Sequence, residues 1–290
     1  MTGSVPAPVP RASVDSIELE YETFGRPTQP TVLLISGLGS QLLGWSSGLC
    51  EEIATRGFQV IRFDNRDVGL STKLEGAPSY SLSDMAADAA GLLDALGIPA
   101  AHIVGASMGG MIAQLVAIER PAKALSLTIV MSNLGGSGSI RAEPEVVALL
   151  VQPPAATREA RIEQSVAATR VTWASSFEEE RSRARATLAI DRSFYPEGTA
   201  RQFQAINAAG SRHEGLGRVR VPVLVIHGDE DPLVPFANAT QIVAAALAGT
   251  ELQVMKGVGH EMPPWEWAKI ADGIARLAAK LEPGVGVAER

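Results

Sequence analysis

Short, almost unbroken apolar runs alternate in this chain with segments of helical spacing, and that rhythm constrains the fold more than any other feature. The runs are TVLLI (31–35), QVIRF (59–63), HIVGA (102–106), LSLTIVM (125–131) and PVLVI (222–226). A strand with one wet face alternates apolar and polar residues, whereas a strand apolar on both faces must be covered on both. Between the runs lie candidate helices over 46–56, 82–96 and 108–120. They stop at Gly57, at Gly97-Ile98-Pro99 and at Pro121, as helices do. Ser81 and Ser83 are both candidate caps for the second. Repeated strand–helix units of this kind predict an α/β fold with a mostly parallel central sheet and helices on both faces.

The flanks of this core are less regular. Residues 1–13 are rich in proline and small residues and predict a loose lead-in. Ser16 to Phe24 alternates as an edge strand does. From 135 to 217 the rhythm stops. Segments 144–151, 157–169, 177–189 and 199–209 have helical character, with arginines and glutamates interleaved. This predicts a helical cap over 135–217 inserted into a core of 1–134 and 218–290; the plainer alternative is more of the same domain. The rhythm returns with PVLVI, a helix over 236–247, a strand near 252–255 and a helix over 265–280. The tail from 282 to 290 is expected to fray.

Composition excludes more than it selects. A net charge of −7, from 25 basic and 32 acidic residues, argues against nucleic acid as the main partner, because phosphate binding needs a basic face. A lone cysteine, Cys50, allows no intrachain disulfide and suits a reducing compartment; it reads as a small core residue rather than a nucleophile. No run reaches signal-peptide or membrane-span length. The expectation is a soluble, cytoplasmic protein acting on a small molecule, without nucleic acid or stable membrane association. A homodimer is left open.

The chemistry concentrates at Gly105-Ala106-Ser107-Met108-Gly109, a G-x-S-x-G sequence set between the strand HIVGA and a helix. That setting defines a nucleophile elbow, a turn so tight that only small neighbours fit. A serine hydroxyl needs a base, and the base needs an orienting carboxylate. In the elbow fold the chain order is serine, acid, histidine. Among the four histidines, His102 precedes Ser107, His213 lies at the end of the insertion and His227 closes a strand. His260, in the glycine-rich loop Gly257-Val258-Gly259-His260, is the candidate base. Asp229, Glu230 and Asp231 compete as the acid after PVLVI. Asp231 precedes Pro232, which restricts its backbone; Asp229 is the runner-up, with turn capping as its ordinary role. The earlier acid position, after LSLTIVM, holds Asn133, which cannot ionise. Backbone N–H groups of Met108 and Leu38, the latter in Ser36-Gly37-Leu38-Gly39, are candidates for an oxyanion hole. Trp45, Met262 and Trp265 are candidate pocket residues. There is no dinucleotide fingerprint, no Walker sequence and no metal-ligand spacing, so no cofactor or metal is expected.

Together these motifs resemble the α/β-hydrolase family, and among its members the bacterial esterases related to the aclacinomycin methylesterases. The likeness rests on Gly44-Trp45, on the stretch from Val60 to Thr72 that contains Asp64-Asn65-Arg66-Asp67, on the Ser107 elbow and on the His260 loop. It implies the α/β-hydrolase fold, Ser107 as nucleophile, Asp231 as acid, His260 as base, Leu38 and Met108 as oxyanion donors, and a lid formed by 135–217. It is also what favours Asp231 over Asp229. Residues 64–67 read as a structural loop. Where such proteins often carry a histidine before the oxyanion-loop glycine, this chain has Ser36. The implied activity is a serine carboxylesterase. Cofactor-free perhydrolases (haloperoxidase-like), thioesterases and C–C bond hydrolases share the same core and stay open, as does a non-catalytic ligand-binding protein.

Overall fold

The computed structural model describes residues 10–76 and 79–281. The tail expected to fray and the first nine residues of the expected lead-in lie outside them. In chain order the first half of the core runs β1 (Arg11–Val14), β2 (Ile17–Phe24), β3 (Thr31–Ile35), α1 (Ser47–Thr55), β4 (Gln59–Phe63), α2 (Leu82–Ala95), β5 (Ala101–Ala106), α3 (Met108–Glu119) and β6 (Ala124–Val130). Five helices follow with no strand between them: α4 (Pro144–Val151), α5 (Arg158–Thr172), α6 (Glu179–Arg192), α7 (Pro196–Ala208) and α8 (His213–Leu216). The core resumes with β7 (Val223–Gly228), α9 (Ala237–Ala245), β8 (Glu251–Met255) and α10 (Trp267–Ala278).

The strands form one sheet of order β1-β2-β4-β3-β5-β6-β7-β8, parallel from β4 onward. Alternate residues of the apolar runs feed opposite faces, as the period of two requires. Leu33, Ile35, Ile103, Leu127 and Val225 pack with α2, α3 and α9. Val32, Leu34, Val104, Val130 and Ile226 pack with α1 and α10. Cys50 is buried in that second layer. At the start of α2, Ser81 is the cap, exchanging hydrogen bonds with Asp84.

Two expectations fail at the N-terminal edge. Arg11–Val14 is not loose but a strand, pairing antiparallel with β2. β2 is therefore no edge: it is flanked by β1 and β4. Four residues reading RASV are too short to show a period, yet Ala12 and Val14 are buried against the first core layer.

The helices between β6 and β7 divide in two. α5 and α6 share a small core of Ile162, Val166 and Ala186. Exposed pairs cross between them, such as Arg158–Asp191 and Arg183–Glu163, and exposed pairs contribute little stability each. By contrast, α7 and α8 join the main core through Ala205 and Leu216. No helix among the described residues is long and apolar enough to cross a membrane.

Candidate active site

Ser107 sits where β5 meets α3, with φ +57 and ψ −121. A non-glycine residue there is strained by about 1–3 kcal/mol, and the surroundings hold it. Its N–H donates to Val130 O (2.9 Å), and its carbonyl accepts from Ser132 Oγ (2.8 Å) and Gly110 N (2.9 Å). The turn closes because its glycines lack side chains: a Cβ on Gly105 would stand 2.0 Å from Gly109 O, and one on Gly109 2.0 Å from Ile35 O. The hydroxyl makes no protein hydrogen bond among the described residues and opens into a cavity of about 760 Å³.

His260 lines the same cavity. Its Nδ1 lies 2.7 Å from Asp231 Oδ2, which leaves Nε2 as the nitrogen free to exchange a proton. The loop that carries His260 is fastened to the end of α5. His260 N donates to Thr172 O (2.6 Å) and Gly259 N to Trp173 O (3.2 Å). A Cβ on Gly259 would meet Thr172 O at 2.5 Å, so this glycine permits the approach.

Asp231 is buried, and its Oδ1 accepts from Leu233 N (2.9 Å) and Val234 N (2.8 Å). Burial alone would raise its pKa. The charge of His260, hydrogen bonds from His227 and His260 and the Val234 amide outweigh that and hold it at about 2. His227 Nε2 lies 2.7 Å from Val234 O and 3.4 Å from Asp231 Oδ2. The carbonyl can only accept, so the proton sits on Nε2, and Nδ1 is left buried without a partner among the described residues. Asp229 faces away: it accepts from Gly257 N and pairs with Lys256, capping its turn.

The 36–39 loop runs flush against Ser107, since a Cβ on Gly37 would come within 3.1 Å of Ser107 Cβ. Met108, first residue of α3, has no intrahelical acceptor for its N–H. Leu38 N–H has no protein acceptor among the described residues. With Ser36 in place of histidine, the loop is held by other means. Asn65 Nδ2 donates to Ser36 O (3.0 Å), Leu42 N to Asp64 Oδ1 (2.7 Å), and Gly39 N to Gln202 Oε1 (2.9 Å). Gln202, fully buried on α7, also donates to Arg66 O at 2.9 Å. Asp64 pairs with Arg192 of α6 and Asp67 with Arg201 of α7, so the 64–67 loop is a structural junction.

Among the candidate pocket residues, Trp45 and Met262 line the cavity. Trp265 does not. It is 56% exposed and lies over Arg181, 5.2 Å from guanidinium to ring. The indole that reaches the cavity from this side is Trp173, at the end of α5, which nothing in the local sequence distinguishes. Gln202 and Arg185 were equally silent: a polar residue on an amphipathic helix looks solvated until the neighbouring element is known. Among the described residues no group of three or more His, Cys, Asp or Glu is placed to hold a metal ion.

A serine at a strand–elbow–helix turn at the carboxyl ends of a mostly parallel eight-stranded sheet defines a class, and sequence comparison agrees with it. A family model for the alpha/beta hydrolase fold matches residues 30–266, and the chain belongs to that family. It is 30% identical over 274 residues to rhodomycin D methylesterase DauP of Streptomyces sp. (strain C5), covering 86% of this chain and 91% of that one. It is 30% identical over 249 residues to 3-oxoadipate enol-lactonase 2 of Acinetobacter baylyi, covering 84% and 87%. In fold it is similar to an esterase from Thermogutta terrifontis, with a TM-score of 0.74 over 94% of this chain and all of that one, at 22% identity.

Proposed function

We propose that this chain cleaves carboxylic esters through an acyl-enzyme on Ser107, with His260 as general base and Asp231 as its orienting acid. Its place among ester-hydrolysing relatives in the α/β-hydrolase family supports the reaction type. The observation that carries the route is the 2.7 Å contact between His260 Nδ1 and Asp231, in a histidine that lines the same cavity as Ser107, whose hydroxyl makes no hydrogen bond among the described residues.

In this reading His260 takes the serine proton as Oγ attacks the ester carbonyl. The N–H groups of Leu38 and Met108 stabilise the oxyanion. The alcohol leaves with the proton that His260 returns. Water, deprotonated by the same imidazole, then attacks the acyl-enzyme and frees the acid. α4, α5 and α6 act as the lid over the cavity, with the 135–217 insertion as its cap. Cys50, buried and pushed up to about 12 by desolvation, stays a thiol, and a cytoplasmic setting suits its single occurrence.

The test is labelling. A fluorophosphonate probe should modify the protein at Ser107 and abolish turnover of p-nitrophenyl acetate in step. Labelling elsewhere, or turnover that survives complete labelling, overturns the reading.

The loop geometry adds a prediction. Gln202→Leu removes the acceptor that holds Gly39 and leaves two half-buried backbone groups, Gly39 N–H and Arg66 C=O, without that partner. One oxyanion donor is worth about 100–1000-fold in rate, so a loop allowed to drift should lower kcat at least about tenfold with KM little changed. Steady-state kinetics at matched folded fraction checks this. A rise in KM alone would show that Gln202 serves substrate binding instead.

A further inference from the structure

The chain as a whole carries a net charge of −7, yet the cavity is lined by three arginines, Arg141, Arg185 and Arg212, and by one carboxylate, Glu261. Arg141 is exposed. Arg212 is buried, and its N–H groups are spent on neutral acceptors: Asn133 O, Gly210 O and Gln114 Oε1. Arg185 differs from both. The other arginines of α6, namely Arg181, Arg183 and Arg192, each pair with a carboxylate. Arg185 has none within ion-pair distance and no hydrogen bond among the described residues. The nearby carboxylate, Glu261, is bonded by Arg181 through Oε1 at 2.9 Å, and its Oε2 makes no hydrogen bond among the described residues.

Arg185 packs against an indole. Its guanidinium lies 5.2 Å from the Trp173 ring, four residues along the helix from Arg181, which packs over the same indole. A guanidinium over an aromatic face keeps its in-plane N–H fork available. Burial disfavours its charge, as the lowered pKa registers, but a guanidinium stays protonated at any pH where an ester hydrolase works. Arg185 is half-buried, and a cation in that setting with no hydrogen-bonded acceptor among the described residues is favoured when a ligand supplies the anion.

We propose that Arg185 is a carboxylate-recognition subsite, so that the substrate is an ester bearing a free carboxylate away from the scissile bond. The inference rests on the ester-hydrolase reading and deepens it. The planar fork suits a carboxylate, which it grips through two parallel hydrogen bonds. Trp173, whose carbonyl helps hold the His260 loop, fixes the guanidinium on one wall while Ser107 waits on another. The carboxylate then sets which ester carbonyl reaches the nucleophile.

The experiment compares monomethyl esters of straight-chain dicarboxylic acids, from succinate to suberate, with neutral methyl esters of monocarboxylic acids of equal length. The wild type should favour the charged series in kcat/KM by at least about tenfold at its best length, mostly through KM. Arg185→Gln should bring the ratio to about one, and Arg185→Lys, which keeps the charge but not the fork, should retain part of it. Indifference to charge at every length, or a preference that survives Arg185→Gln, overturns the proposal. Adipate and hexanoate, added without ester, give a second readout. Adipate should raise the Tm of the wild type more than hexanoate does, and lose that advantage in Arg185→Gln; equal shifts count against the subsite. Because this readout needs no catalysis, it separates failure of the subsite from failure of the hydrolase mechanism, which would appear as ester turnover by a Ser107→Ala variant.

Discussion

Ser107→Ala should lower kcat on p-nitrophenyl acetate at least about a thousandfold while leaving KM within a few-fold. The reason is the division of labour in the site. In the proposed mechanism the cavity walls hold substrate and backbone N–H groups hold the oxyanion, none of which the substitution touches; only the group proposed to form the covalent bond is lost. The residual rate should come from those backbone donors acting on water. The fold should tolerate the change, because Ser107 is held by its main chain, through Val130 O, Ser132 Oγ and Gly110 N, while its hydroxyl is unbonded. Alanine inherits the same strained φ of +57. Ser107→Gly would relieve that strain, worth about 1–3 kcal/mol, against about 0.5–1 kcal/mol of extra chain entropy. It should thus be equally inactive with a Tm at least as high as that of the alanine variant. Calorimetry and kinetics on the three proteins check both halves. An alanine variant within tenfold of wild type would mean that another group attacks the ester.

The parts of this molecule that could be read from the chain are those whose cause is local. The elbow could be read because the turn at Ser107 is enforced by residues within two positions of it, and because the strand before it is apolar on both faces. His260 was singled out by chain order and its glycine-rich loop, and Asp231 over Asp229 by family resemblance more than by its own neighbours; the two side chains lie 2.7 Å apart. Arg11–Val14 was missed because its reason is the partner, β2, and not its own four residues. Trp265 was misplaced because proximity to His260 in sequence does not say which way an indole turns; here it turns outward onto Arg181. Gln202 lies 163 positions from the Gly39 it holds, and Arg185 is one arginine among several on a charged helix. Nothing but tertiary placement separates them from their neighbours, so the contacts that tie the helices of 135–217 to the 36–39 loop, and the residues those helices bring to the cavity, stayed out of reach.

Asp231→Asn should lower kcat roughly ten-thousandfold at neutral pH while leaving the site assembled. The backbone decides how the amide sits. Leu233 N and Val234 N both point at Oδ1, so the asparagine oxygen must take that place and its NH₂ must take the place of Oδ2. That NH₂ then donates to His260 Nδ1. The imidazole responds by carrying its proton on Nε2, the nitrogen that has to accept the proton of Ser107, and the base is disabled without moving. The pH dependence follows from the depressed pKa. Burial pushes Asp231 up, but His260 and the donors around it hold it at about 2, so it stays ionised throughout the working range. An acid limb in the wild-type rate profile therefore does not report Asp231. The stability it contributes is present above its ordinary pKa near 4 and is lost as pH falls toward 2. The Tm gap between wild type and Asp231→Asn should accordingly be largest near neutrality and close as the solution is acidified. If the gap stays constant down to pH 2 and kcat falls less than tenfold, Asp231 neither orients nor charges the base, and Glu230 or Asp229 would have to be tested in its place.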